Sequence, residues 1–364
     1  MDILTEALGS MRTGSPAAVR TMGHAPWGLR LPPVIGAGFH VVLSGACWLV
    51  PVHGPRRSDA IRLDTGDVVF LRDGRAHILA DQPGTPPQDE QDCRFTPGSP
   101  LGTVTVGGEG PRTSLLCGSY HLDQARPHPL VRQLPELVHL STADGGHADL
   151  AAAVGLLRAE LDRSRIGAAG IVPALIDSLL LYILRAWYEG QPPESAEGWT
   201  AALRDAAIAP ALAALHADPA AAWTVEELAA RVGLSRAGFA RRFTALVGEP
   251  PMAYLTRWRM TRAAQLLRES PAPLSTIAAR IGYGSEYAFA KAFKREHGQP
   301  PGAYRRAARG SVTRHGSPTP QAPATGAAFR PQPTTPVGNT GLPELDLPDL
   351  TNEEIGETLR GMGA

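Results

Sequence analysis

The side chains best placed to do chemistry fall into two groups. In the C-terminal third, Arg236-Ala-Gly-Phe-Ala-Arg-Arg-Phe243 and Glu286-Tyr-Ala-Phe-Ala-Lys-Ala-Phe-Lys-Arg295 each set two phenylalanines four residues apart. At helical spacing those rings share one buried side, which leaves Arg236, Ala237, Ala240 and Arg241, and then Glu286, Tyr287, Ala290 and Lys291, on the outer side. Cations held at fixed places on a helix can fork onto base edges or sit against phosphates. The second group, His40, Trp48, His77 and Cys93, lies in the N-terminal third. Two histidines can begin a transition-metal site, but such chemistry usually needs a third protein ligand. The pair therefore starts a metal site or, as the preferred reading, lines an interior that is packed or holds a small organic ligand. No Ser/His/Asp cluster, phosphate loop or complete metal triad is apparent, so no catalytic residue, metal or cofactor is assigned.

The elements that must position the first group are written twice. Leu228-Ala-Ala-Arg-Val-Gly233 returns as Ile277-Ala-Ala-Arg-Ile-Gly282, and Glu249-Pro-Pro-Met-Ala-Tyr254 returns as Gln299-Pro-Pro-Gly-Ala-Tyr304. Each copy holds a helix, a break at glycine and a second helix, the outline of a helix-turn-helix. Thr224 and Glu227 have capping-box spacing, and Ser235 and Ser285 precede the outward-reading helices. From Trp223 to Ala308 there are 14 Lys and Arg against 6 Asp and Glu, a net of +8 in a chain whose total is zero. A basic block inside a neutral protein fits a phosphate-binding module.

Around this block the 364-residue chain has room for two or three domains. Short apolar runs such as Phe39–Leu43, Cys47–Val50, Asp67–Leu71 and Thr103–Val106 alternate with turn residues and predict a sandwich or barrel, with an exposed loop over 81–91. Cys47 and Cys117 sit among apolar neighbours as core residues, whereas Cys93, beside Arg94, is the candidate oxidant sensor. Helices are predicted over 150–161 and 174–188; Leu175, Leu179, Tyr182, Ile183 and Trp187 form the stripe of the second. That stripe packs on its own chain or pairs two copies as a homodimer through 150–190. No secretory signal opens the sequence, and the most apolar run, Leu179–Leu184, is too short to span a bilayer, so the expectation is a cytoplasmic protein without a membrane partner. Beyond residue 309 a Pro-, Thr- and Gly-rich tail is expected to be disordered, with an acidic stretch over 342–359 that forms a short helix or stays solvated.

Trp223-Thr-Val-Glu-Glu-Leu-Ala, Gly233-Leu-Ser, Arg259-Met, Ala264-Gln-Leu-Leu267, Ile277-Ala, Gly282-Tyr, Phe289, Phe293-Lys, Gly298, Pro300-Pro301 and Tyr304-Arg305 together resemble the AraC/XylS family of transcriptional regulators. Phe39-His-Val-Val-Leu-Ser-Gly45, Trp48, Gly66-Asp67, Gly74, His77 and Cys117-Gly118 resemble the cupin-type regulatory domain of one branch of that family. The resemblance implies an α+β multidomain chain. Its parts would be an N-terminal extension (1–26), a cupin-like β-barrel (27–127), a helical linker and dimerisation region (128–199), an all-α tandem helix-turn-helix domain (200–308) and the tail (309–364).

The resemblance further implies that both outward helices enter successive major-groove segments of double-stranded DNA. Base contacts would come from Arg236, Ala237, Ala240, Arg241, Glu286, Tyr287 and Lys291, and phosphate contacts from Arg242, Lys294 and Arg295. Arg241 is the candidate for bidentate guanine recognition; Glu286 either accepts from cytosine N4 or partners its helix dipole. His40, Trp48 and His77 would line an effector pocket, and RNA polymerase would be a further partner. The alternatives are a cupin metalloenzyme fused to a DNA-binding module and a constitutive DNA binder whose barrel only scaffolds dimers.

Overall fold

A computed structural model describes residues 3–52, 60–89, 92–122, 128–142, 145–163, 165–192 and 197–312. Of the expected tail (309–364), residues 309–312 are helical, and the rest, from 313 onward with its acidic stretch, lies outside the described residues.

The N-terminal half is built from two sheets. One has the order β12-β6-β3-β11-β1-β10-β9: β1 (Ala17–His24), β3 (Ala37–Ser44), β6 (Val68–Leu71), β9 (Arg94–Thr96), β10 (Thr103–Gly107), β11 (Arg112–Tyr120) and β12 (Leu137–Leu140). The other has the order β5-β4-β7-β2-β8: β2 (Gly28–Leu31), β4 (Cys47–Pro51), β5 (Ile61–Leu63), β7 (His77–Ala80) and β8 (Gln88–Asp89). Strands β3 and β6 are apolar on both faces because both faces are covered. On β3, Phe39, Val41 and Leu43 join the helix-side core, while Val42 joins the interior between the sheets. His40 alternates with them onto the inter-sheet side, opposite Cys117 and Val69 in register.

The helices are α1 (Ile3–Met11), α2 (Pro129–Arg132), α3 (Ala148–Asp162), α4 (Ala168–Gly190), α5 (Gly198–Arg204), α6 (Ile208–Ala217), α7 (Val225–Arg231), α8 (Arg236–Val247), α9 (Pro251–Glu269), α10 (Leu274–Arg280), α11 (Glu286–His297) and α12 (Pro301–Val312). Three readings need correction. Residues 3–24, expected as an extension, form α1 and β1, and β1 sits inside the large sheet between β10 and β11. Arg20 and Thr21 hid that strand: Thr21 bonds Cys117 within the fold, and Arg20 donates to Leu161 O (2.7 Å) and Asp162 (2.5 Å). The loop over 81–91 includes the short edge strand β8, which pairs in parallel with β2.

The third correction concerns α4, which starts six residues before the predicted 174, so that Pro173 lies inside it, in the second turn, and cannot supply the helical N–H to the Ala169 carbonyl. Its buried stripe is Val172, Ile176, Leu179, Leu180, Ile183 and Leu184; Leu175, Tyr182 and Trp187 lie on the half-buried flank. By length and composition this helix could cross a membrane. Its stripe instead joins the helix-side core, and Asp177 holds Arg12 at 2.8 Å.

The core does not divide where the sheets end. One continuous cluster runs from Ile3, through the helix side of the large sheet, α3, α4, α5 and α6, to Phe239, Phe243, Tyr254 and Leu255. A separate cluster holds Met260, Ala264, Leu267, Ile277, Phe289 and Phe293. The first helix-turn-helix unit is therefore packed as one body with the linker and sheets, and the second has its own core. Phe243→Ala and Phe289→Ala should each cost about 3–5 kcal/mol. Hydrogen exchange is expected to quicken across α4–α8 for Phe243→Ala but only across α10–α12 and the end of α9 for Phe289→Ala. Equal patterns from the two variants would contradict the division.

Candidate nucleic-acid interface

Each unit is assembled by local chemistry. Thr224 caps α7 through the Glu227 N–H, and Glu227 reaches back to the Thr224 N–H, completing the capping box. Gly233 and Gly282 make the two turns at φ of 70° and 81°. At Gly282 a Cβ would stand 2.6 Å from Ala220 O, so the glycine also permits a close backbone approach. Ser235 caps α8 through Gly238 N (3.1 Å), and Ser285 caps α11 through Ala288 N (3.4 Å). Phe239 with Phe243, and Phe289 with Phe293, lie 5.6 and 5.7 Å apart and bury the inner face of each helix.

The outer faces carry the predicted residues. Arg236, Ala237, Arg241, Glu286, Tyr287 and Lys291 are exposed, Tyr287 at 79 %, and Ala240 is half-buried. The side chains of Arg241, Lys291, Lys294 and Arg295 make no hydrogen bond or ion pair among the described residues and are exposed. Arg236 is held by Glu226 on α7 at 2.6 Å, both side chains exposed. Such a pair is weak and exchanges readily.

Arg242 is engaged within the unbound fold. Its Nε and terminal nitrogen donate to Asp205 at 2.8 and 2.6 Å, which ties it to the α5–α6 junction. The repeat explains this. With Phe239 aligned on Phe289, position 242 matches Ala292, a buried residue of the second core. The same alignment matches Lys294 to Thr244, an exposed residue one turn beyond Arg241 that belongs to the outer face and was missed. The 50-residue offset alone would have found it.

A second constellation was not foreseen. His128, Trp199, His216, Tyr254 and Trp258 form a buried knot where α2, α5, α6 and α9 meet. His128 Nδ1 accepts from Leu130 N, capping α2, so a neutral ring carries its proton on Nε2 and donates it to Tyr254 Oη (3.3 Å). Tyr254 O–H then donates to His216 Nε2 (2.5 Å). Burial, with His216, Arg257 and Arg132 nearby, pushes the His128 pKa well below its ordinary value.

In the sheet domain, His40 and His77 face each other Nε2 to Nε2 at 2.7 Å, and His77 Nδ1 donates to Arg75 O (2.9 Å). His77 Nε2 is then the acceptor and His40 the donor. Burial lowers both pKa values; the neighbouring His77 adds to the effect at His40. Among the described residues no group of three or more His, Cys, Asp or Glu could hold a metal. Trp48 is elsewhere, in a cleft of about 300 Å³ lined by Arg62, Asp81, Gln82, Arg112 and Thr113. Cys93 is half-buried against the inter-sheet cluster, its thiol 3.5 Å from Asp89 O, rather than exposed.

Residues 2–189 match the family model described as Cupin, and residues 228–307 match one described as Helix-turn-helix domain. An AraC-like transcription regulator of Streptomyces lividans is 35 % identical over 309 residues, covering 84 % of this chain and 98 % of the relative.

The chain belongs to the AraC family of transcription regulators.

The HTH-type transcriptional regulator MtrA of Neisseria gonorrhoeae is 29 % identical over 309 residues, 84 % of this chain and 98 % of MtrA. The crystallised DNA-binding domain of AdpA, in complex with a target DNA, is 35 % identical over 30 % of this chain and 97 % of that domain, with a TM-score of 0.29. As an AraC-type protein the chain is a DNA-binding transcription regulator, with a cupin-like sheet domain ahead of its helix-turn-helix units.

Three buried histidines contribute to the pH dependence of stability. His40, His77 and His128 have folded-state pKa values below the unfolded ~6.5, so the unfolded chain binds more protons in that range and stability rises with pH. Urea denaturation should show full stability above about pH 6.5 and a progressive loss below it. His128→Gln should flatten that slope by up to ~1.4 kcal/mol per pH unit. An unchanged slope would show that His128 binds protons equally in the folded and unfolded states.

Proposed function

We propose that α8 and α11 are the two DNA-reading helices, inserted into successive major-groove segments on one face of the duplex. Support comes from what each cation is doing in the unbound protein. Arg241 and Lys291, equivalent through the repeat, are exposed and unpaired among the described residues, whereas Arg242 is engaged within the fold. In this reading Arg241 forks onto a guanine, Arg236 leaves Glu226 to reach a base edge, and Ala237 and Ala240 give apolar contact, as to a thymine methyl. Glu286, Tyr287 and Lys291 form the second base-reading face, and Lys294 and Arg295 hold phosphate. Such work on the genome is cytoplasmic. Arg241→Ala should lose ~1–3 kcal/mol of discrimination at one base step in a binding-site selection. An unchanged preference at every step would remove Arg241 from the reading set.

The controlling signal enters, in this proposal, at the sheet domain. The cleft beside Trp48 favours a small organic anion: Arg112 has no acceptor among the described residues, and Asp81 is turned to Gln82 N and Thr85 Oγ1. Phenylacetate should raise the melting temperature of the full chain, phenylacetamide should not, and Arg112→Ala should abolish the rise. A rise that persists in Arg112→Ala would place the anion elsewhere. Pairing of two copies through 150–190 is supported by Leu156, Ile166 and Ile171, which are 56 %, 103 % and 43 % exposed.

A further inference from the structure

Two adjacent residues between α5 and α6 touch both the linker and the first reading helix. Arg204, in the last turn of α5, donates to Tyr188 O (2.9 Å), Glu189 O (3.2 Å) and Gln191 O (3.1 Å) at the C-terminal end of α4. Those carbonyls lack intrahelical partners, and a cation there also suits the helix dipole. Asp205, next in the chain, divides its carboxylate. One oxygen accepts from Ala207 N and Ile208 N (2.9 Å each) and caps α6. The other takes the Arg242 fork from α8 at 2.8 and 2.6 Å.

This carboxylate is 9 % exposed and accepts four charge-assisted or backbone hydrogen bonds, so it is far from an ordinary surface ion pair. Helix α4 is itself rooted in the sheet domain: Ile176 O accepts from the buried Tyr120 hydroxyl, and Asp177 holds Arg12. A continuous polar path thus runs from the sheets through α4, Arg204 and Asp205 to α8. Among the described residues α11 has no matching tether, because the position equivalent to Arg242 is Ala292, buried in the second core; the second unit meets the N-terminal part instead at α9, where Arg268 donates to Tyr304 Oη, Ser10 O and Arg12 O.

We propose that Arg204 and Asp205 are positioning residues that fix the attitude of α8 relative to the linker, so that the state of the sheet domain is read out at the first DNA segment and not at the second. This rests on α8 and α11 being the DNA-reading helices. It assigns Arg242 to geometry rather than to phosphate, and makes α8 the adjustable reader and α11 the constant one.

The test uses full-length protein and a binding-site selection scored separately for each segment. Arg241→Ala and Lys291→Ala serve as controls that map the first and second segments. Asp205→Asn keeps an oxygen to cap α6 but loses the charge that holds Arg242. It should reduce preference at the first segment about tenfold and leave the second unchanged. Arg242→Ala should do the same, and the double variant should be no worse than either single one. Arg242→Lys, a cation without the fork, should not restore the preference. Equal loss at both segments, or no loss at either, overturns the proposal. So does an Arg242→Ala defect that keeps its full size in the Asp205→Asn background, which would make Arg242 a direct phosphate contact. If the two controls fail to map to separate segments, the reading of α8 and α11 falls, and the tether falls with it.

Discussion

The union of sheets, linker and DNA-facing helices depends on keeping one imidazole buried and neutral. His128 packs against Trp199, Tyr254 and Trp258, its ring 5.0–6.3 Å from each. A charge there would have to be desolvated beside Arg257 and Arg132, and a proton on Nδ1 would take away the acceptor that caps α2. Neutral His128 instead starts a one-way chain of donors that runs through Tyr254 to His216. With the protons so placed, the bonds from His128 to Tyr254 and from Tyr254 to His216 hold α2, α6 and α9 together. The stacking of His216 on Trp258 at 4.1 Å then fixes the side of α9 that faces the linker.

From that knot α9 extends as a spacer. Tyr254, Leu255 and Trp258 are buried toward the first unit, while Met260, Ala263, Ala264 and Leu267 belong to the second core. Nineteen helical residues span roughly 28 Å, comparable to the ~34 Å repeat of the groove. A continuous helix with a different core at each end keeps two readers at fixed separation while their stabilities remain separate. It also means that a change in the sheet domain meets the first unit through shared packing and the second along α9 and its contacts with α1 and Arg12. Glu6 with Arg262 (3.1 Å) and the donation from Arg268 to Ser10 O (2.7 Å) are among those contacts.

The units themselves were legible in sequence because their signals are local. A capping box, a glycine at each turn and phenylalanines at i, i+4 need no tertiary information, and their repetition removes ambiguity. The mixed fold with a sheet domain ahead of the helices was legible for the same reason, in short apolar runs between turns. What escaped depends on distant partners. Nothing in the sequence marks the bond of Arg242 to Asp205, 37 positions away. Arg20 and Thr21 interrupt an apolar pattern, and only their partners on α3 and β11 make Ala17–His24 a strand. His128, His216 and Tyr254 carry no motif at all, since their spacing of 88 and 38 residues has meaning only after folding.

The duplicated scaffold has been loaded differently in its two copies. In the first, Arg236 and Arg242 are each held by an acid, Glu226 or Asp205, and Arg241 alone on the outer face is unpaired among the described residues. In the second, Lys291, Lys294 and Arg295 are all turned to solvent. Affinity from counterion release scales with the phosphates neutralised, so unpaired cations favour grip without regard to sequence. Cations held by acids give up some of that grip for defined direction. The asymmetry of charge therefore matches the asymmetry of packing. The unit fused to the sheets and linker is the one whose side chains are oriented, and the unit with its own core is the one whose charge is free.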